Sequence, residues 1–385
     1  MNKIKISGIG CTLIDYLYNN VSFTSPEIQP YLSQKDGDGG ISPGRLVFTD
    51  ELESFSGESY NLIIDKITGG RSPDARNIGG PAVVSMIHAA QMLKGKAEFY
   101  FTGAIGEDET GKDLLGFLEK TPLSADHLQI VDASTPFTHV LSDPGFNNGE
   151  GERTFINNIG AAFGLKAPAK DFFEADICVF GGTALVPGIH DQIDYYLKAA
   201  RSKGAYTVVN TVYDFRNQKK APETPWPLGK EHNAIPHIDL LIMDLEEALR
   251  ISGRNNGDSA LNYFIDNGAR AVVITEGARD IKVFASGELY LKEIKKDFPV
   301  SQKAISDLKC TGVRGDTTGC GDNFVGGMIS SLAEQLIASP DSKPDIVEML
   351  RLGRASGGFA CFYLGGTYFE KEEGEKRQKV ERYLD

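Results

Sequence analysis

Residues 315–327 read GDTTGCGDNFVGG, a glycine-rich turn that runs into an apolar-periodic segment. Val325, Ile329, Leu332 and Leu336 recur at helical spacing after the turn, so a helix starts within it. Backbone N–H groups of Gly319, Cys320 and Gly321 would then point to one place, where the positive end of the helix dipole adds its field. Such a cradle suits an anion, above all a phosphoryl group. Asp322 stands where it could take a proton. Read alone, the same residues are also a turn followed by an N-capping acid, and the choice depends on what surrounds them.

Working outward, strand-like and helix-like patterns alternate from about Ala175 onward, which predicts βαβ units around a mainly parallel sheet. Strands are expected at 176–181, 206–212, 240–244 and 271–275, with a helix carrying Ile193, Tyr196, Leu197 and Ala200 before the stop at Lys203 and Gly204. Ligands collect at the carboxyl ends of such strands, and those ends carry Asp244 and Thr275. Upstream, a first strand spans 3–10, and a glycine turn at 77–81 leads into Val83, Met86, Ala90 and Leu93 at helical spacing. Two alternating stretches between Ile130 and Ala162 flank a turn-rich centre and predict a hairpin. The segment 19–59 is rich in Gly, Ser, Pro and Asp and only weakly periodic. Its KDGDGG run at 35–40 lacks calcium-loop ligands at Gly40 and Val47, so it reads as a turn-rich insertion. The charged end, 371–385, reads as a solvated terminal helix.

With 385 residues, 41% hydrophobic and 24% charged, the chain has an ordinary globular composition. Forty Lys and Arg against 53 Asp and Glu leave a net charge of −13, which repels a phosphate backbone and argues against nucleic-acid partners. The five cysteines are scattered, with no CxxC pair, as in a reducing cytoplasm rather than a disulfide or zinc framework. No apolar run is long enough to span a membrane, and the start has no signal-peptide core. No GxGxxG follows the first strand, which argues against a dinucleotide-dependent dehydrogenase.

Read whole, DTTGCGDNF resembles the DTxGAGDxF signature of the ribokinase-like (PfkB-type) carbohydrate and nucleoside kinases, with Cys320 where alanine is usual. The resemblance runs in order along nearly the entire chain apart from 19–59. It implies a three-layer α/β/α domain with a mainly parallel central sheet and a small β lid, the lid being 130–162, all within one domain of 1–385. It further implies ATP-dependent transfer of the γ-phosphoryl group to a hydroxyl of a sugar or nucleoside, with ATP and magnesium as cofactors and room for a monovalent cation. A lid-paired homodimer in the cytoplasm is the expected assembly.

Residue by residue, the resemblance makes Asp322 the general base and Gly319, Cys320 and Gly321 the anion hole. Thr275, Gly277, Asp316, Thr317, Gly353 and Arg354 fall at nucleotide-binding positions. Asp15, Gly79 and Gly80 fall at acceptor-binding positions, to which Asn77 and the lid residue Arg153 are added. DLEE, 244–247, stands at the place of the NxxE motif, so Asp244 and Glu247 are expected to hold hydrated magnesium. GAIGEDETG, 103–111, matches a turn read as a packing element. The main departure is Val84, where relatives carry an asparagine that grips an acceptor hydroxyl. That loss leaves a non-catalytic sugar- or nucleoside-binding sensor as the alternative, against which the retained Asp322 and Glu247 weigh.

Overall fold

The computed structural model describes residues 3–35, 37–149, 151–229, 234–311 and 317–385. Eight strands form one sheet, in spatial order Ile294–Phe298, Ile281–Ala285, Ala271–Thr275, Leu240–Asp244, Tyr206–Asn210, Ile177–Gly181, Ile4–Gly10 and Ala97–Thr102. The six strands from Ala271–Thr275 to Ala97–Thr102 are parallel, and the first two run antiparallel at the edge. The central strands are apolar on both sides because both faces are covered. Ile242 joins the core that contains the helices Pro81–Leu93 and Cys320–Ala338, whereas Leu241 and Met243 join the core against Ile193–Ser202 and Leu245–Ser252. Alternate side chains thus feed two cores, which gives the three layers expected.

A second sheet of five strands lies in the order Leu46–Phe48, Glu152–Asn158, Phe137–Asp143, Leu13–Tyr18 and Ala75–Gly79. The hairpin read at 130–162 is its centre, with strands antiparallel from Phe137↔Asn158 to Asp143↔Glu152. The lid is larger than that hairpin. It recruits residues 13–18 directly after the first core strand, and its edge strand, Ala75–Gly79, takes in the first three residues of the stretch read as a turn at 77–81.

One register row crosses this sheet through Asn77, Asp15, Thr138, Asn157 and Phe48. Residues in one row share a face, and their neighbours face the other way. On the opposite face Tyr18, Leu141, Ile156 and Val47 pack with Leu52, Tyr60, Ile63 and Ile67 in a buried cluster. The last four come from the helices Thr49–Ser56 and Tyr60–Thr68. The segment read as a weakly periodic insertion therefore covers the lid's outer face and supplies its edge strand. It extends past the expected end at 59, because a two-helix cover needs both amphipathic stripes to hide that face.

The terminal segment also departs from expectation. Glu375–Glu381 is helical, but Lys376 is 1% exposed and Val380 is fully buried. Its charges flank an inward face rather than ringing a solvated rod.

If the insertion is part of the folding unit, Ile63→Ala, which empties a fully buried site, should lower the stability of the single main transition by about 2–4 kcal/mol. Urea unfolding followed by circular dichroism and by tryptophan fluorescence checks this, the single Trp226 reporting from the large core. An unchanged midpoint would make the segment an independent appendage.

Candidate active site

The helix Cys320–Ala338 begins at Gly319, whose φ of 74° is left-handed. A Cβ on Gly319 would lie 2.5 Å from the Gly366 Cα, so both conformation and space demand glycine. A Cβ on Gly321 would meet nothing within 4 Å; that side of the cradle is open. The Cys320 N–H donates to the Thr317 carbonyl at 3.3 Å, so an anion would have to share this donor. The Cys320 side chain turns toward Cys361, the two Sγ atoms 3.4 Å apart without a disulfide between them. Asp316 and the preceding Gly315 lie outside the described residues.

Asp322 occupies the first turn of this helix. Burial pushes its carboxyl up to about 6, above the ordinary aspartate range, yet it stays mostly ionised at neutral pH. Burial also pushes the Cys11 thiol up to about 12, with Asp15 and then Asp322 adding to the rise. Both carboxylates thus act on one thiol at the end of the first core strand. Asp15 is 5% exposed and lies against Gly79, where a Cβ would sit 2.1 Å from Asp15 Oδ2. Gly80, at φ 106°, lets the chain pass the Cys11 carbonyl, which a Cβ would approach to 2.6 Å. The paired glycines therefore make room for the acid.

Asn77 shares the row of Asp15, but its Nδ2 donates to the carbonyls of Leu364 (2.9 Å) and Thr367 (3.0 Å), while its buried Oδ1 has no partner among the described residues. The amide is committed to the C-terminal loop. Val84, 2% exposed, packs on the same loop, and a Cβ on Gly366 would lie 3.0 Å from its Cγ2. Space that could have held an acceptor hydroxyl is closed by backbone, which is why an apolar residue fits there.

From the lid, Arg153 donates from Nη1 to Thr318 Oγ1 (2.6 Å) and from Nη2 to Thr317 Oγ1 (2.7 Å). The lid is thereby clasped to the anion-hole loop. At the far strands Thr275 pairs in register with Asp244, and Gly277, at φ 56°, has open space where a Cβ would be. Two residues expected near the nucleotide have close partners within the chain. Gly353 lies in a helix contact, where a Cβ would come 2.8 Å from Met328 Cγ. Arg354 reaches the Asp385 carboxylate (3.0 Å) and the Val300 carbonyl (3.4 Å). Small residues there serve close helix packing.

Asp244 and Glu247 form a capping box on the helix Leu245–Ser252: Asp244 Oδ1 accepts from the Glu247 N–H (2.8 Å), and Glu247 Oε2 accepts from the Asp244 N–H (3.2 Å) and from Thr211 Oγ1 (2.6 Å). Burial, then the Asp244 charge, push Glu247 up to about 8, and Asp322 adds to the rise. A divalent cation fits this donor set, since it would relieve like-charged carboxylates, and Asp244 stands exposed at the mouth. Among the described residues no three His, Cys, Asp or Glu converge on a metal position.

Sequence reasoning missed Thr211, Thr318, Asn323, Tyr363 and Lys376, which touch these groups through space. The available signal was the position of Thr318 and Asn323 inside the opening motif.

This lidded α/β architecture brings acids and open glycines together at the carboxyl ends of its strands. Residues 74–372 match the pfkB family carbohydrate kinase pattern, and the chain belongs to that family. It is similar in structure to adenosine kinase from Schistosoma mansoni in complex with 2-fluoroadenosine (TM-score 0.70, 16% identity, 96% of this chain and 98% of that one). It is also similar to ribokinase from Giardia lamblia (0.64, 17%, 99% and 100%). A third similar structure is Arabidopsis thaliana ribokinase complexed with ribose and ATP (0.62, 18%, 100% and 99%). No curated protein sequence gives a significant match. Among the described residues no helix is long and apolar enough to cross a membrane.

Because the folded chain holds the Glu247 proton well above its ordinary value of 4.5, while the unfolded chain releases it there, stability falls as pH rises from about 4.5 toward about 8. Without divalent cation, Glu247→Gln should flatten this loss by up to about 1.4 kcal/mol per pH unit, as read by urea unfolding at several pH values.

Proposed function

We propose that the protein transfers the γ-phosphoryl group of ATP to a hydroxyl of a small acceptor, with Asp322 as general base. The observation that carries the reading is that Asp322, in the first turn beside Gly321 with its open Cβ side, and Asp15 both act on the buried Cys11 thiol. Asp15 orients the acceptor by accepting its hydroxyl hydrogens. As the acceptor oxygen forms its bond to the γ-phosphorus, the bond to the bridging oxygen breaks, ADP departs, and the acceptor proton passes to Asp322. The Gly319 and Gly321 amides, with the shared Cys320 amide, stabilise charge on the transferring group; each donor of this kind is commonly worth about 3 kcal/mol.

Thr317, Thr275 and Gly277 edge the nucleotide side, where the open glycines leave the backbone approachable. Arg153 lies where it can exchange its threonine partners for a phosphate oxygen. Magnesium, when bound, would neutralise phosphate charge; Glu247 would hold it through water, with Asp244 at the mouth. The lid excludes water, itself a competing nucleophile.

The acceptor class follows from the row Asp15, Thr138, Asn157 and Phe48. Asn157 lies two strands from Asp15, about 10 Å at the usual strand spacing. Asn157 and Phe48 line a cavity of about 410 Å³ with Phe163, Leu185 and Phe215. The wall also carries Asp50, Glu51, Arg216 and Lys219, and its mix of aromatic and polar groups at that distance supports an acceptor with a flat, hydrogen-bonding ring beyond its sugar, so a nucleoside is favoured over a free sugar.

A lid-paired homodimer would have to displace the chain's own helices from the lid face, so a single-chain mass is expected by light scattering. A dimeric mass would mean that another surface pairs.

ATP consumption against a panel of nucleosides and sugars tests the reaction. Asp322→Asn should lose several powers of ten in kcat with ATP affinity retained, and wild-type turnover should fall about tenfold per pH unit below about pH 6, as the base is protonated. Near-normal turnover of the variant would remove Asp322 from the role.

A further inference from the structure

Behind the anion-hole turn lies a sealed polar cluster that the transfer step does not use. Its centre is Asn323, fully buried and next in the chain to Asp322. The Asn323 Nδ2 donates to the carbonyls of Gly319 and Gly366, both at 2.8 Å. Its Oδ1 faces Lys376 Nζ (2.9 Å), Tyr363 Oη (3.0 Å) and His88 Nδ1 (2.7 Å). The amide orientation follows from this network, since a flip would set its NH₂ against an ammonium.

Lys376 Nζ has a second acceptor in Gln91 Oε1 (3.0 Å) and is 1% exposed. Taking an ammonium out of water costs several kcal/mol, and an apolar side chain of similar length would avoid that cost. A buried charge is weak evidence for stability, so its position asks for another reason. It lies one amide away from the carbonyl of Gly319, and the Asn323 backbone N–H holds that same carbonyl at 2.8 Å. An ammonium at one end of an amide polarises it and strengthens the bonds at its other end.

We propose that Lys376 is a positioning residue for phosphoryl transfer, acting through Asn323 to hold the Gly319 turn so that its amides and Asp322 keep their aim. The proposal rests on the kinase reading above. Every contact in the relay is to a neutral group, so the charge of Lys376 acts on the turn without an ion-pair partner in between.

The surroundings bear on when that charge is present. Burial pulls Lys376 down to about 7, opposed by the charge of Glu370, which also accepts the Lys376 backbone N–H (2.8 Å). The helix Pro81–Leu93 presents Gln91 and a His88 kept neutral, first by burial and then by Lys376 itself. Cys320–Ala338 presents Asn323 and, further along, Glu334, which is paired with Arg377 (2.9 Å). The C-terminal loop presents Tyr363, and the helix of Lys376 itself presents Glu375, which is bonded to Tyr368 (2.8 Å). The ammonium is full below about pH 7 and is lost as pH rises through that value, so the turn is firmest on the acid side.

The test compares wild type, Lys376→Met, Lys376→Arg and Gln91→Leu by steady-state kinetics across pH and by hydrogen exchange of the peptide covering 317–323. Lys376→Met should lower kcat about tenfold or more near pH 6.5, leave both KM values within about twofold, and abolish the alkaline fall of the wild-type profile. Lys376→Arg should recover part of kcat. Exchange at 317–323 should rise in the Met variant at one fixed pH. Should the Met variant not fold, Gln91→Leu still decides: loss of an ammonium acceptor should move the alkaline limb to lower pH and leave acid-side kcat unchanged.

Wild-type kcat, alkaline limb and exchange in the Met variant, or an unmoved limb in Gln91→Leu, would overturn the proposal. If wild type transfers phosphate to no acceptor, the kinase reading fails instead. Exchange at 317–323 then still decides whether Lys376 orders the turn.

Discussion

The Gly319 carbonyl is held twice by Asn323, once by its backbone N–H and once by its side-chain amide. The same side chain holds the Gly366 carbonyl. Much of the molecule is arranged around this staple. A helix N-terminus can cradle an anion only if its first amides are kept from fraying. Here the turn has no room for a side chain, because a Cβ on Gly319 would run into the Gly366 Cα. Gly366 in turn sits on Val84, and Asn77 holds the carbonyls on either side of it. The C-terminal loop is thus a backing plate for the site.

On the solvent side of the staple the chemistry is dominated by acids. Asp15 and Asp322 act on the Cys11 thiol, and Asp244 and Asp322 act on Glu247. Gathering carboxylates in a low-dielectric cleft costs stability, and folds tolerate such costs chiefly at functional sites. The helix dipole and Arg153, reaching over from the lid, supply the opposing sign. The cleft is therefore suited to ligands that bring both signs, a polyphosphate with its cation, although the whole chain carries a net charge of −13.

The lid shares its strands with the body of the protein. Leu13–Tyr18 follows the first core strand after two residues, and Ala75–Gly79 runs directly into the helix Pro81–Leu93. Lid and core are stiffly joined at one side, and Arg153 clasps the other. The helices at 49–56 and 60–68 then fill the lid's outer face, converting what would be an exposed apolar sheet into a small core of its own. Phe48, which ends the added edge strand, packs edge-on against Phe215 of the large domain at 5.4 Å. One segment thereby seals the lid's back and lines the cavity at its front.

The opening motif, the strands at 240–244 and 271–275 and the helix after Pro81 were legible in the chain because each is written in local terms: a period, a cap, a run of glycines before an apolar stripe; Asp15 and Glu247 were singled out by the family resemblance alone. Period and capping depend on neighbours a few residues away, and those survive in any order of reading. Lys376 could not be read this way. In sequence it is one charge among many in KEEGEKRQKVER, and only the packing of its helix on Pro81–Leu93 turns it inward. The packing partners of Gly353 and Arg354 were hidden for the converse reason, since small and basic residues look alike whether they meet a ligand or a neighbouring helix. The edge strand at 46–48 is three residues long and has no period to show; it exists because Glu152–Asn158 offers it a free edge. Local pattern thus determined the elements, whereas tertiary packing decided which side chains stand together and what stands behind them. The reason is that burial and through-space charge belong to pairs of residues hundreds of positions apart, such as Asn77 with Thr367 and Gln91 with Lys376.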